Sequence, residues 1–162
     1  MAAFGAMPLL LVRHAHAGSR SAWRGDDRLR PLSPKGRSQA LVLVPVLASF
    51  GPSRVLSSPY LRCTQTVEPV AAALGLEVEP DEALADGSGT EAVALLWSLA
   101  GTTAVICTHG DVATAVFEAV GQAAAAGSDQ RPALQKGSLW VLGESTGTLE
   151  VVDHLQPLVI DD

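Results

Sequence analysis

The segment Pro8-Leu-Leu-Leu-Val-Arg-His14 joins a short, continuous apolar run to an arginine and a histidine. An apolar run of this length without polar alternation is typical of a strand buried on both faces, as in a parallel sheet. Ligands of open α/β sheets bind at the carboxyl ends of the strands. Arg13 and His14 therefore stand where a binding site is expected.

Two further segments place chemically active side chains just after a predicted strand. Arg62 lies one helical turn beyond the strand predicted at 54–57, in Ser57-Ser-Pro-Tyr-Leu-Arg62. His109 follows the strand predicted at 103–107, in Val105-Ile-Cys-Thr-His109. A single histidine after a strand is usually structural, but two arginines and two histidines at one sheet edge predict an anion site.

Strand and helix patterns alternate along the rest of the chain. Ser33-Pro34 is a helix N-cap followed by proline at the first helical position, and it begins a helix that runs to about residue 50. Further helices are predicted at about 60–74, 90–100 and 112–120, a short strand at 76–79, and a closing hairpin from 138–142 and 148–152. The alternation predicts an α/β three-layer sandwich, with a mostly parallel central sheet and helices on both faces. We expect the chain to consist of a flexible leader at 1–7, one domain at 8–154 and a C-terminal tail at 155–162.

Composition and charge narrow the class of protein. The 162 residues are 48% hydrophobic, as expected for one globular domain. No apolar run reaches the roughly 18 residues of a membrane span, and the N-terminus lacks a signal-peptide pattern, so we expect a cytoplasmic protein. The first 62 residues hold nine Lys/Arg and two acids, whereas the remainder holds two bases and fifteen acids. A basic segment on an acidic body favours a local anion site over binding to a nucleic acid polymer. Because no apolar run is long enough for a span, no membrane partner is expected.

The two cysteines, Cys63 and Cys107, do not form a CxxC pair and give no support to a zinc or redox motif. We expect buried, reduced thiols. No carboxylate cluster suggests a metal, and no cofactor is expected.

Phosphoryl transfer explains why these residue types stand together. Charge spreads over the equatorial oxygens of the transferred group, and arginine forks match those oxygens. A neutral histidine can act as the nucleophile if its other nitrogen is held by a backbone carbonyl. A second histidine can stabilise the developing charge.

Three segments together resemble the signature motifs of the histidine phosphatase superfamily, which has the phosphoglycerate mutase-like fold. They are Leu11-Val-Arg-His-Ala15, Ser57-Ser-Pro-Tyr-Leu-Arg-Cys-Thr-Gln-Thr66 and Thr108-His-Gly110, in the family's order. The resemblance implies a metal-independent phosphatase in which His14 is the nucleophile and Arg13, Arg62 and His109 complete the phosphate pocket.

The short chain, without room for the insertions of larger members, resembles the SixA-type phosphohistidine phosphatases. Arg13-His-Ala-His-Ala-Gly-Ser19, Gly25-Asp-Asp27, Arg30-Pro-Leu32 and Lys136-Gly-Ser138 are also similar to the C-terminal phosphatase-like domain of some bacterial MutT-type Nudix hydrolases. No Nudix box is present. A mutase is disfavoured, because the chain offers little material for a lid that excludes water.

The remaining candidates lie in loops. Many family members use a glutamate after the third strand as general acid, and here Asp86 falls nearest to that place, with Glu82 as the alternative. A weak acid favours substrates with good leaving groups, such as phosphohistidine or a nucleoside polyphosphate. Arg20 and Arg24, in the loop after His14, are candidates for gripping an extended anion, and Trp23 for stacking on a base.

The predicted function is hydrolysis through a phosphohistidine intermediate, with a phosphorylated protein as substrate. The alternatives are a nucleotide or small-metabolite phosphatase and a non-catalytic phosphate-binding module.

Overall fold

The structure, a computed structural model, describes residues 7–120, 135–145 and 148–156. Its strands are β1 Leu9–Arg13, β2 Arg54–Ser57, β3 Val78–Pro80, β4 Ala104–Thr108, β5 Leu139–Ser145 and β6 Thr148–Leu155. Its α-helices are α1 Pro34–Ala48, α2 Leu61–Leu74, α3 Gly89–Ser98 and α4 Gly110–Ala119. The predicted leader and tail lie almost wholly outside the described residues, so the domain bounds stay a prediction. No helix within the described residues is long and apolar enough to cross a membrane.

The six strands form one mixed sheet in the order β3-β2-β4-β1-β5-β6. The first four strands are parallel: β1 pairs with β4, β4 with β2, and β2 with β3. β5 pairs antiparallel with β1, and β6 pairs antiparallel with β5. This topology confirms the predicted α/β fold. The predicted hairpin is present with both strands longer than expected, and residues 146 and 147 of its turn lie outside the described residues.

The alternation of side chains along β1 divides the core into two halves. Leu9 and Leu11 pack into one buried cluster with residues of α3 and α4. Leu10 and Val12 pack into a second cluster with residues of α1 and α2. Helices therefore cover both faces of the sheet, which explains why the first strand is apolar at successive positions.

Local signals set the start of α1 and the boundary between α2 and β3. The Ser33 hydroxyl accepts a hydrogen bond from the Gly36 amide at 3.1 Å, which confirms the predicted N-cap of α1. β3 begins at Val78, two residues later than predicted. Gly75 ends α2 in the left-handed conformation (φ 70°), and the Leu76 amide donates to the Ala71 carbonyl at 2.9 Å. Leu76 thus completes the helix cap and cannot start the strand.

Candidate active site

The sheet register brings the ends of three strands together. Arg13 lies beside Thr108, and Ser57 lies beside Cys107. The ladder continues one residue further, because the His14 amide donates to the Thr108 carbonyl at 3.0 Å. The residues that follow β1, β2 and β4 therefore meet at one edge of the sheet.

A cavity of about 400 Å³ opens at this edge. Arg13, His14, Arg62 and His109 all line it, so the structure brings together the four side chains singled out from the sequence. The glycine after His109 makes room for one of them. A Cβ atom on Gly110 would lie 2.9 Å from Cζ of the Arg13 guanidinium. Any larger residue there would displace Arg13 from the start of α4.

The environment of His14 selects one protonation state and one tautomer. The side chain is buried, and Nδ1 lies 2.8 Å from the Ala15 carbonyl. A carbonyl can only accept, so Nδ1 carries the hydrogen and Nε2 carries the lone pair. Burial lowers the pKa of His14 well below its usual value, and the charges of His109, Arg62 and Arg13 add to this effect against the Ala15 hydrogen bond. His14 is therefore a neutral imidazole at neutral pH.

His109 packs against His14, and residues that follow β2 hold its ring in place. The two ring centroids are 5.5 Å apart in an edge-to-face arrangement. His109 Nε2 is hydrogen-bonded to the Ser58 hydroxyl at 2.9 Å, and the Tyr60 ring packs edge-on at 4.7 Å between centroids. Residues of the Ser57–Arg62 segment therefore hold the second histidine in place.

Arg62 is almost completely buried and is held by an acid that sequence reasoning missed. Its Nη1 donates to the Asp27 carbonyl at 2.9 Å, and its Nη2 donates to the Asp27 carboxylate at 3.1 Å. The same carboxylate accepts from Arg30 Nε at 3.0 Å and lies 3.5 Å from Arg20 Nη2. Partial burial raises the pKa of Asp27, but Arg30, Arg62 and Arg20 outweigh this and hold it below the usual value. Asp27 thus joins three arginines.

Further charged side chains line the pocket: three more cations and the carboxylates of Asp86 and Asp111. Arg20, Arg30 and Lys136 also line the cavity. Lys136 is positioned by its neighbour, since the Gly137 amide donates to the Arg13 carbonyl at 3.0 Å and the His14 carbonyl at 3.1 Å. Burial, followed by the charges of Arg13 and the other pocket arginines, lowers the pKa of Lys136. Arg24, by contrast, is exposed and is not among the lining residues.

The two candidate acids occupy different places. Asp86 lines the pocket and accepts a hydrogen bond from Arg20 at 3.0 Å. Glu82 is exposed and pairs with Arg28 at 2.9 Å instead. Burial raises the pKa of Asp86, but its hydrogen bond with Asp111 and the charges of His109 and Arg20 shift it below the usual value overall. Asp86 is therefore better placed than Glu82 to act as the general acid, because it lines the pocket. Its lowered pKa, however, favours the ionised carboxylate, which has no proton to give.

Cys63 and Cys107 lie buried as free thiols, and Cys63 Sγ is 3.6 Å from His109 Nε2. Burial raises the pKa of Cys63, but hydrogen bonds with Cys107 and His109 outweigh it and lower the pKa overall. Across residues 7–120, 135–145 and 148–156, no group of three or more His, Cys, Asp or Glu side chains is placed to hold a metal ion.

The fold and this pocket define an α/β protein with a cationic pocket at the carboxyl ends of its parallel strands and His14 within it. The family model of the histidine phosphatase superfamily (branch 1) matches residues 9–93, more than half of the chain. The chain belongs to the histidine phosphatase superfamily.

Individual relatives agree with this membership. The chain is 39% identical over 156 residues to an 8-oxo-(d)GTP phosphatase from Mycolicibacterium smegmatis, in a match that covers 92% of this chain. It spans about half, 48%, of the length of that protein. Among solved structures, the protein histidine phosphatase SixA complexed with tungstate superposes with a TM-score of 0.70 at 23% identity, covering 93% of this chain and 97% of that one. Bacillus stearothermophilus YhfR gives a TM-score of 0.75 at 20% identity, covering 91% and 96%. These two likenesses show the shared fold.

Proposed function

We propose that the protein hydrolyses phosphorylated substrates through a covalent intermediate on Nε2 of His14, without a metal ion. One observation carries the proposal: the Nδ1 hydrogen bond to the Ala15 carbonyl leaves Nε2 as the lone-pair nitrogen inside a pocket of cations. A histidine that served only as a phosphate ligand would donate a hydrogen to the anion, and this tautomer presents a nucleophile.

In the first step, Nε2 attacks the phosphorus and the bond to the leaving group breaks, at oxygen in a phosphate ester or anhydride and at the ring nitrogen in phosphohistidine. The leaving atom keeps the electron pair of that bond. Arg13, Arg62 and His109 stabilise the charge on the transferred group. Both Nη atoms of Arg62 are bound to Asp27, which fixes the guanidinium group in the wall of the pocket.

In the second step, water attacks the same phosphorus, its protons stay on the released phosphate or pass to solvent, and the phosphorus–nitrogen bond breaks. The bonding electrons return to Nε2, inorganic phosphate leaves, and His14 is again neutral. The lowered pKa of His14 supports this cycle, because a protonated imidazole would have no lone pair for the first step.

Two substrate classes fit this chemistry. The first class is phosphohistidine on a protein, the substrate expected of a SixA-like enzyme. The fold shared with the protein histidine phosphatase SixA supports this class. A nucleoside polyphosphate is supported by the name of the 39% identical relative and by the cations Arg20, Arg30 and Lys136, which exceed the need of one phosphoryl group. Both leaving groups are good, so neither depends strongly on a general acid.

The test is a substrate panel in excess chelator combined with chemical trapping. We expect turnover of an aryl phosphate, a phosphohistidine protein or a nucleoside diphosphate, and a base-stable, acid-labile phosphate on His14. His14→Ala removes the nucleophile and is expected to abolish both turnover and trapping.

His16→Ala is the matched control, because His16 follows the nucleophile in the same loop but does not line the pocket. Its Nδ1 is hydrogen-bonded to the Ser33 hydroxyl at 2.6 Å instead. It should retain activity. Phosphate trapped on serine or cysteine, full activity of His14→Ala, or complete loss on chelation restored by a divalent ion would each contradict the proposal.

A further inference from the structure

A second, smaller cavity of about 250 Å³ adjoins the phosphate pocket. Gly18 and Arg30 line both cavities, so the two share a wall. The second cavity lies within the loop that follows His14, and most of its surface is apolar. Its apolar walls include Ala17, Ala22, Trp23, Pro31 and Leu32.

Trp23 is the aromatic wall of this second cavity. Its side chain is partly exposed, at 37%. The indole Nε1 donates to the Asp26 carbonyl at 2.9 Å, so the ring already has its polar partner and a fixed orientation. An aromatic ring that is oriented before the ligand arrives loses little conformational entropy on binding. The exposed part of the ring is therefore suited to stacking on a flat, aromatic group.

The phosphate pocket offers charge for a second phosphoryl group on the side of this cavity. Arg20 and Ala22 belong to one 3-10 turn, Arg20–Ala22, and they line the first and second cavities respectively. Lys136 adds an ammonium group among the pocket arginines. A ligand that satisfies both cavities must therefore combine at least two anionic groups with a flat apolar end.

We propose that the second cavity binds the base of a nucleoside polyphosphate, with its terminal phosphoryl group at His14 and the next one at Arg20 and Lys136. This assignment rests on the phosphatase function proposed above and names its substrate class. The base contacts Trp23, and Arg30 lies between the base and the phosphates.

The test compares GDP with inorganic pyrophosphate, which has the same two phosphoryl groups without nucleoside. We expect wild-type kcat/KM to be higher for GDP. Trp23→Ala should lower kcat/KM for GDP about tenfold, in keeping with the loss of one stacked base, and leave pyrophosphate unchanged. Trp23→Phe should recover most of the loss. Trp97→Ala is the control, because Trp97 on α3 is equally exposed, at 38%, and lines neither cavity.

A binding readout supports the kinetic one. Titration of His14→Ala with GDP should quench tryptophan fluorescence, pyrophosphate should not, and the additional change Trp23→Phe should remove most of the quenching. Equal wild-type kcat/KM for GDP and pyrophosphate, or equal losses for both in Trp23→Ala, would overturn the base site.

The outcomes also separate this inference from the phosphatase function. Turnover of an aryl phosphate or a phosphohistidine protein, with neither GDP nor pyrophosphate accepted, would overturn the base site and leave the function of His14 intact. The absence of any turnover and of any phosphate on His14 would overturn both.

Discussion

The two walls of the active site are held in different ways. One wall, the strand-end set, consists of Arg13, His14, Arg62 and His109. The other, the loop set, consists of Arg20 and Arg30 in residues 15–33 after the nucleophile. The Arg62 side chain is 1% exposed, whereas the Arg20 side chain is 64% exposed.

Backbone structure fixes the strand-end set, because His14 continues the β1 ladder and Arg62 is buried on α2. The Asp27 carboxylate pairs with Arg20 and Arg30 of the loop set as well as with Arg62. Arg30 is buried and also donates to the Ala17 carbonyl at 2.6 Å, whereas the ion pairs of the exposed Arg20 contribute little and rearrange easily. The reacting group therefore meets a rigid wall, whereas the part of the substrate next to Arg20 meets an adaptable one.

The same substitution on each wall tests this difference with the largest expected effect. Arg62→Lys keeps the charge but removes the fork that binds Asp27 and the phosphoryl oxygens, so we expect kcat for an aryl phosphate to fall about 10²–10³-fold. Arg20→Lys keeps an exposed charge and should cost less than about fivefold. Steady-state kinetics measure both, and thermal melting of Arg62→Lys controls for folding. Equal losses would show that the two walls do not differ.

The strand-end set could be predicted from the sequence because it depends on one rule of topology. The carboxyl ends of parallel strands meet at one sheet edge, so residues directly after apolar runs converge whatever the rest of the chain does. Arg13, His14 and His109 follow from that rule. Arg62 follows from it with one helical turn added.

The loop set could not be predicted in the same way. Its geometry depends on contacts across long stretches of sequence, such as that of Asp27 with Arg62 and that of Arg20 with Asp86. Nothing in the local composition of residues 15–33 distinguishes Arg20 and Arg30, which line the pocket, from Arg24, which does not. The sequence shows that this segment is positively charged, but the tertiary structure determines which of its arginines line the pocket.

Acid should weaken the two walls in different pH windows. The native pKa of His14 is lowered, so below about 6.5 the unfolded chain takes up a proton that the native state refuses. As the pH falls from this value to the native pKa of His14, the free energy of unfolding therefore decreases by up to about 1.4 kcal/mol per pH unit. Asp27, whose pKa is also lowered, loses its contribution only below its ordinary value of 3.8.

Urea unfolding between pH 7 and pH 5 measures the first window. His14→Gln should flatten the decline in the free energy of unfolding, while Asp27→Asn should not change its slope there. The acid limb of kcat/KM should likewise have its midpoint below 6.5, because only neutral His14 attacks. A decline with the wild-type slope in His14→Gln would mean that the strand-end wall is more hydrated than the structure indicates.

The smallest expected effect concerns Asp86, a carboxylate that interacts with both walls. Asp86 binds Arg20 of the loop set and lies in the field of His109. We propose it, rather than Glu82, as the acid that protonates poor leaving groups. General acid catalysis contributes roughly 10²–10⁴-fold where a proton is required. The lowered pKa of Asp86 leaves little of the protonated form at neutral pH, so we expect Asp86→Asn to cost at most about tenfold for an alkyl phosphate.

An aryl phosphate needs no such proton, and its turnover should hardly change in Asp86→Asn. Removal of a negative charge from a cationic pocket should in addition lower KM for GDP. Glu82→Gln is the matched control, since Glu82 is equally a loop carboxylate but pairs with Arg28 outside the pocket. A selective loss on alkyl phosphates in Glu82→Gln would transfer the role to Glu82. An equal, small effect of both variants on all substrates would mean that neither residue is the acid, and that leaving-group chemistry alone drives the first step.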